Sequence, residues 1–248
     1  MRIGGLQKTS LIDFPGRVAA VVFTQGCNMR CAYCHNPSLV IPAQFEALLD
    51  EASLWDFLEK RRGRLDGVVV SGGEPTIHRD LPAFLRRIRS MGYEIKLDTN
   101  GSNPFMLKGL LDEGLLSFVA MDIKGDPGDY KRYCGAAIPA ESVRASIDLV
   151  MSSGVAHEFR TTAVPGLHTL ESLKALCEMV RGADRYAVQA FRPGSCLDPA
   201  CGQLPAYDMT ELLLERAWFE ARVKAFELRG APERLAIDAS RPGMGLVH

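Results

Sequence analysis

Three cysteines crowd into one short stretch, Gly26-Cys27-Asn28-Met29-Arg30-Cys31-Ala32-Tyr33-Cys34-His35-Asn36-Pro37. Thiolates that close together can wrap one compact site for a soft metal. An iron–sulfur cube normally takes four cysteine ligands. This motif supplies three, and no fourth cysteine is near in sequence. One iron is then left open to bind a substrate or cofactor. Two plainer readings compete. A zinc site would need His35 as its fourth ligand, and its adjacency to Cys34 is poor zinc spacing. Buried structural cysteines would rarely crowd a glycine-flanked loop.

The other cysteines carry less. Cys177 lies on a helical pattern and reads as core. Cys134 follows Tyr133 in a loop with no partner nearby in sequence. Cys196 and Cys201, in Gly194-Ser195-Cys196-Leu197-Asp198-Pro199-Ala200-Cys201, could help bind a second metal. Iron counting separates the cases, with about four irons for one cubane and more for two. His78, His157 and His168 are isolated and read as structural.

These groups need a scaffold. The chain has 248 residues, 47% hydrophobic and 24% charged, which is ordinary globular composition. Its net charge of -1 argues for neither a nucleic acid nor an anionic membrane as partner. No apolar run approaches the roughly 20 residues needed to span a bilayer. The opening MRIGGLQKTS lacks a hydrophobic signal core, so the expected location is cytoplasmic. In that reducing compartment a tight cysteine cluster favours metal binding over disulfides.

A β-rich run, a turn and a helical pattern recur along the chain. Strands are predicted at Val18–Thr24, Gly67–Ser71, Tyr93–Asp98, Phe118–Ile123, His157–Ala163 and Arg185–Phe191. Helical patterns fall near 44–61, 79–91, 104–113, 140–153, 169–180 and 208–228. Continuous apolar strands such as VAAVVF suit a parallel sheet covered on both faces. The alternation predicts an α/β fold, an open partial (β/α)6 barrel of TIM type, with a doubly wound sheet as the alternative. A single domain over 1–248 is expected, with its core at about 17–228 and a tail or lid at 230–248. The cysteine loop follows the first predicted strand, where loops of parallel α/β folds build active faces.

Cys-x3-Cys-x2-Cys with an aromatic before the last cysteine resembles the signature of the radical S-adenosylmethionine (SAM) superfamily. The resemblance implies one 4Fe-4S cluster on Cys27, Cys31 and Cys34, with SAM chelating the open iron. Reduction would cleave SAM to a 5′-deoxyadenosyl radical that abstracts a hydrogen atom, chemistry that belongs to the cofactor. Tyr33 would contact the adenine. Gly72-Gly73-Glu74-Pro75 resembles the second signature, whose strand end binds the SAM amino group. Asp98-Thr99-Asn100-Gly101 and Asp122-Ile123-Lys124 resemble stretches of glycyl-radical-enzyme activases. There Asp98, Thr99 and Asp122 would help hold a monovalent cation, while Asn100, Asp122 and Lys124 would approach SAM. Arg160, ahead of Val164-Pro165-Gly166, would reach the SAM carboxylate. Arg192 stands where pyruvate formate-lyase activase carries a histidine, so its contact is a departure from that pattern. Without the resemblance, Asp98 reads as a helix cap, Lys124 as a solvated charge and the arginines as surface ion pairs.

The opening Lys8-Thr9-Ser10-Leu11-Ile12-Asp13-Phe14-Pro15-Gly16, leading to Phe23-Thr24-Gln25-Gly26-Cys27, is more specific. It resembles the anaerobic ribonucleoside-triphosphate reductase activating proteins. The implied reaction takes an α-hydrogen from a glycine of the reductase and leaves a stored glycyl radical, with a flavodoxin or ferredoxin as electron donor. Other readings are an activase of a formate-lyase-like enzyme, a small-molecule radical SAM enzyme such as a deazapurine synthase, and a non-catalytic cluster carrier. SAM-dependent 5′-deoxyadenosine formation separates the carrier from the enzymes.

Overall fold

Eight strands build one sheet in the order β1-β2-β3-β4-β5-β6-β7-β8. The computed structural model describes residues 1–230. The tail or lid expected beyond Gly230 lies outside the described residues. The strands are β1 Ile3–Ser10, β2 Ala19–Thr24, β3 Gly67–Gly72, β4 Glu94–Thr99, β5 Phe118–Asp122, β6 Ala156–Ala163, β7 Tyr186–Ala190 and β8 Phe226–Arg229. β1 pairs antiparallel with β2, and every later neighbour is parallel. The strand order never reverses, which excludes the doubly wound alternative. β1 and β8 are edges, so the barrel is partial and open.

The six predicted strands are β2 to β7. Two strands were not predicted. β1 reads IGGLQKTS, with two glycines and a polar end, and lacks a continuous apolar run. β8 falls inside the helical pattern expected at 208–228. That stretch breaks into helices at Thr210–Leu214 and Arg216–Glu220 before the strand begins. Its buried Leu212, Phe219, Val223 and Phe226 keep helical spacing across the break, which hides it. Phe219 stacks on Phe226 with centroids 4.5 Å apart, so helix and strand share one apolar seam.

Side chains alternate between the two faces of the sheet. Ala20, Val22, Val68 and Val70 join the large core under helices Glu51–Lys60, Leu81–Ser90, Pro104–Asp112, Ala140–Ser152 and Leu170–Met179. Ala19, Val21 and Val69 face inward, where Phe14 packs with them. Phe14 comes from the β1–β2 connection and meets Phe118 edge-on at 6.2 Å. Gly67 makes room for it, since a Cβ there would stand 2.8 Å from the ring. Parallel register carries the inward face onward: Val69 pairs with Lys96, Asp98 with Ala120, Asp122 with Arg160, and Gln189 with Arg229. The inner wall is therefore apolar at β2 and β3 and charged from β4 to β8. Among the described residues no helix is long and apolar enough to cross a membrane.

Candidate active site

The cysteine loop leaves β2 through Gly26, whose φ of 117° is open to glycine but rare for other residues. Gly26 N–H donates to the Leu39 carbonyl at 2.8 Å, and its own carbonyl accepts from Glu74 N–H at 2.8 Å. A methyl group on Gly72 would collide with the Thr24 backbone, and one on Gly73 with the Gly26 carbonyl. The Gly-Gly turn thus lets β3 end directly against the loop.

Further bonds fix the loop from three sides. Arg30 N–H donates to the Cys134 carbonyl at 2.7 Å, and Leu197 and Asp198 N–H donate to the Cys34 and Ala32 carbonyls at 2.9 Å each. Asn28 Nδ2 donates to Ser102 Oγ at 2.8 Å and accepts at Oδ1 from Asn100 Nδ2 at 3.0 Å. Met29 N–H points at the Cys27 sulfur, 3.4 Å away.

A cavity of about 220 Å³ opens over this loop, lined by Cys27, Cys31, Cys34, Tyr33, Gly72, Gly73, Glu74, Asp98, Thr99, Asn100, Asp122, Lys124 and Arg160 among others. Every expected site residue but Arg192 meets there. Arg192 is exposed and lines a neighbouring groove, with its carbonyl bonded to His35 Nε2 at 3.0 Å.

Glu74 is buried, and its carboxylate is already engaged. It accepts from Thr76 N–H and Oγ1, from Thr99 Oγ1 at 2.7 Å and from Asn100 N–H at 2.7 Å. Burial pushes this carboxyl up, against those four donors. Glu74 therefore clamps the β3 end to the β4 end.

Across β4, β5 and β6 runs a chain of alternating charge. Lys96 Nζ bonds Asp98 at 2.6 Å, Arg160 bridges Asp98 at 3.4 Å and Asp122 at 2.7 Å, and Lys124 bonds Asp122 at 2.9 Å. Ser71 Oγ also donates to Asp98, at 3.0 Å. Burial pushes both carboxyls up, but Arg160 first, with Lys96 and Lys124, outweighs it and holds them below the ordinary carboxylate range. Burial likewise opposes the Lys124 charge, and Asp122 beside it keeps that ammonium well above its usual value. Lys124 and Arg160 both line the cavity, where their N–H groups suit an anionic ligand group. Of the residues expected to share a monovalent cation, Asp98 and Asp122 meet at Arg160, while Thr99 turns to Glu74.

Tyr130 and Glu158 escaped sequence reading, and His168, read as structural, braces the same site. Tyr130 OH accepts from Lys124 N–H at 3.0 Å. His168 accepts at Nδ1 from Val164 N–H at 3.1 Å and donates from Nε2 to the Lys124 carbonyl at 3.0 Å. Glu158, buried, joins Arg160 at 3.8 Å and Arg229 at 2.8 Å. A visible signal existed for Lys96 and Glu158: charged residues inside apolar strand runs, in step with Asp98 and Arg160 at the period of two. His157 bonds the Val155 carbonyl at 2.9 Å, and Cys177 is fully buried on its helix, both as structural residues should be.

The donor set fits an iron–sulfur cluster. Burial pushes Cys27 up and Cys31 up to about 12, so thiolates there need positive charge from a metal. Among the described residues, no group of three or more His, Cys, Asp or Glu side chains is arranged to hold a single metal ion. A cube spreads its cysteines over different irons, so it does not need them on one point. Tyr33, buried in the same wall, has a hydroxyl with no protein partner. An orphaned buried hydroxyl is costly, and a ligand atom in the cavity would satisfy it.

Comparison with known proteins converges on one family. The Radical SAM superfamily model matches residues 21–180. A Methanocaldococcus jannaschii protein named as a glycyl-radical enzyme activating enzyme is 32% identical over 216 residues, covering 85% of this chain and 88% of its own. The pyruvate formate-lyase-activating enzyme of Clostridium pasteurianum is 30% identical over 188 residues, 73% of this chain and 76% of its own. Streptococcus suis SuiB, solved with S-adenosylmethionine bound, superposes with a TM-score of 0.62 at 13% identity, over 85% of this chain and 52% of that one. Methylornithine synthase does so at 0.62 and 14%, over 89% of this chain and 68% of that one. The last two speak to the fold alone, and this chain spans about half the length of SuiB. The chain belongs to the radical SAM superfamily, whose enzymes work through a 4Fe-4S cluster and SAM, and within it to the glycyl-radical-enzyme activating enzymes.

Proposed function

We propose that this chain activates an anaerobic ribonucleoside-triphosphate reductase by taking the α-hydrogen of one glycine in that partner. One observation carries the reading. A second cavity of about 540 Å³ fills the open barrel and shares Asp122, Arg160 and Thr162 with the first. A loop of a large protein can therefore reach the reactive end of the SAM site through the barrel, with no lid to displace among the described residues. Ile12, Asp13 and Pro15 of the opening segment line that second cavity. The resemblance of that segment is what favours the reductase over a formate-lyase-like partner.

In this reading Cys27, Cys31 and Cys34 hold the cluster. When bound, cluster and SAM supply a carbon radical able to abstract hydrogen. The residues bind and orient. Lys124 and Arg160 offer N–H donors to the SAM carboxylate. The Tyr33 hydroxyl meets the adenine. Glu74 is spent on its clamp, so the SAM ammonium falls to backbone oxygens of the Gly72–Gly73 turn. Asn100 holds Asn28, and with it the loop, beside the ligand. Arg192 lies at the rim of the neighbouring groove and takes no part. A monovalent cation would compete with Lys96, Arg160 and Lys124 for the same carboxylates, so the proposal needs none. The reading takes residues 17–228 as the core of one radical SAM domain working in the cytoplasm with a flavodoxin or ferredoxin as donor.

The test mixes enzyme, SAM, reductant and reductase without oxygen and records the EPR spectrum. A glycyl doublet on the reductase is expected. SAM cleavage with no glycyl signal, or a signal only with a formate-lyase-like partner, would refute the assignment of partner.

A further inference from the structure

On the reading that a partner's glycine gives up its hydrogen here, we propose that Gln189, with Thr162 beside it, holds the two peptide groups flanking that glycine and so presents its α-carbon at the SAM site. Thr162 and Gln189 are register partners on β6 and β7. Both point into the barrel, since Ala163, Val188 and Ala190, next to them in sequence, belong to the core on the other face.

Three cavities converge on this pair. Thr162 lines the SAM cavity, the barrel cavity of about 540 Å³ and a groove of about 450 Å³ that leads on past Arg192 to Ser195. Gln189 lines the last two. A chain seated in the barrel passes this pair with room on both sides, beside the opening to the SAM cavity.

The pair is also unspent. The charged residues lining the barrel cavity are all held in ion pairs or hydrogen bonds. Thr161 donates to the Ile123 carbonyl at 3.0 Å. Of the polar side chains in that lining, Thr162 and Gln189 alone make no hydrogen bond among the described residues. Gln189 is the one exposed residue of β7.

A glycine has no side chain to grip, so only the peptide groups on either side of it can be held. A carboxamide matches a peptide group, with a carbonyl that accepts and N–H groups that donate, and a hydroxyl does both at one atom. Neighbouring strands lie about 4.8 Å apart. In an extended chain the peptide groups flanking one Cα are about 3.5 Å apart. Gln189 and Thr162 can thus take one peptide group each, with the Cα between them.

Glycyl radical formation is followed by EPR against reductase concentration, anaerobically with SAM and reductant, for wild type, Gln189→Leu and Thr162→Val. Gln189→Leu should raise the KM for the reductase about tenfold, one to two hydrogen bonds' worth, and yield fewer glycyl radicals per 5′-deoxyadenosine. Thr162→Val should do the same to a smaller degree. Iron content and the Kd for SAM of Gln189→Leu should match wild type, which a disturbed fold would not allow. Replacing the two residues that flank the reductase glycine by alanine should leave the fold-loss from Gln189→Leu unchanged, because a backbone contact survives those changes. An unaltered KM and radical yield in Gln189→Leu, or a loss that vanishes against the alanine-flanked reductase, would overturn the assignment of Gln189. A wild-type enzyme that puts no radical on the reductase fails before any variant is compared, and that outcome sinks the choice of partner and this contact together.

Discussion

Tyr33 and Arg160 are the residues on which the site turns. The Tyr33 hydroxyl is buried without a protein partner, and the proposed reading gives it one in SAM. Tyr33→Phe should leave the free enzyme as stable or slightly more so, and weaken SAM binding about tenfold, one hydrogen bond's worth. Equilibrium binding and thermal melts of one preparation check both. Arg160→Met would leave the half-buried Asp98 and Asp122 with only Lys96 and Lys124 as partners, at a cost of about 1–3 kcal/mol. The same pairing sets an acid limit. Unfolded aspartates titrate near pH ~4, and these two titrate lower when folded. Their contribution is thus full above about pH 4 and is lost as pH falls toward the folded values. Denaturant titrations at neutral and acid pH should show wild type losing more stability than Arg160→Met. Equal losses would count against the network.

Among elements, the β3–loop junction is the tightest. Gly73→Ala must push the Gly26 carbonyl away and with it the start of the cysteine loop. Iron content after anaerobic reconstitution should fall well below one cluster per chain while the rest of the fold survives. The Phe14 plug sits at the other end of the barrel, and Phe14→Ala should cost about 3–5 kcal/mol by unfolding, with iron content retained. The central strands were legible because β2 and β3 are apolar on both faces, and β4 to β7 keep an apolar outer face under the helices, which leaves apolar residues in every run. The cysteine loop and the strand-end residues were legible because they sit at fixed places in those units. β1 and β8 were not, since edge strands need no apolar run and β8 keeps helical spacing. The partners of Asn28, Tyr130 and His168 were also hidden. Asn28 and His168 act by pairing across segments far apart in sequence, as His168 does on the Lys124 carbonyl, and only the fold brings them together.

At the scale of the whole molecule, a sheet with one apolar and one charged inner wall leaves the barrel open where the charges are. The SAM cavity and the barrel cavity join at Asp122, Arg160 and Thr162. That junction is where a partner's glycine would meet the reactive carbon. The measurement that tests it most directly follows the hydrogen itself. The reductase is made with α-dideuterated glycine and incubated anaerobically with enzyme, SAM and reductant, and the 5′-deoxyadenosine is weighed by mass spectrometry. One deuterium per 5′-deoxyadenosine, formed in step with the glycyl radical, is the predicted result. Undeuterated 5′-deoxyadenosine from a reaction that consumes SAM and reductase together would contradict it.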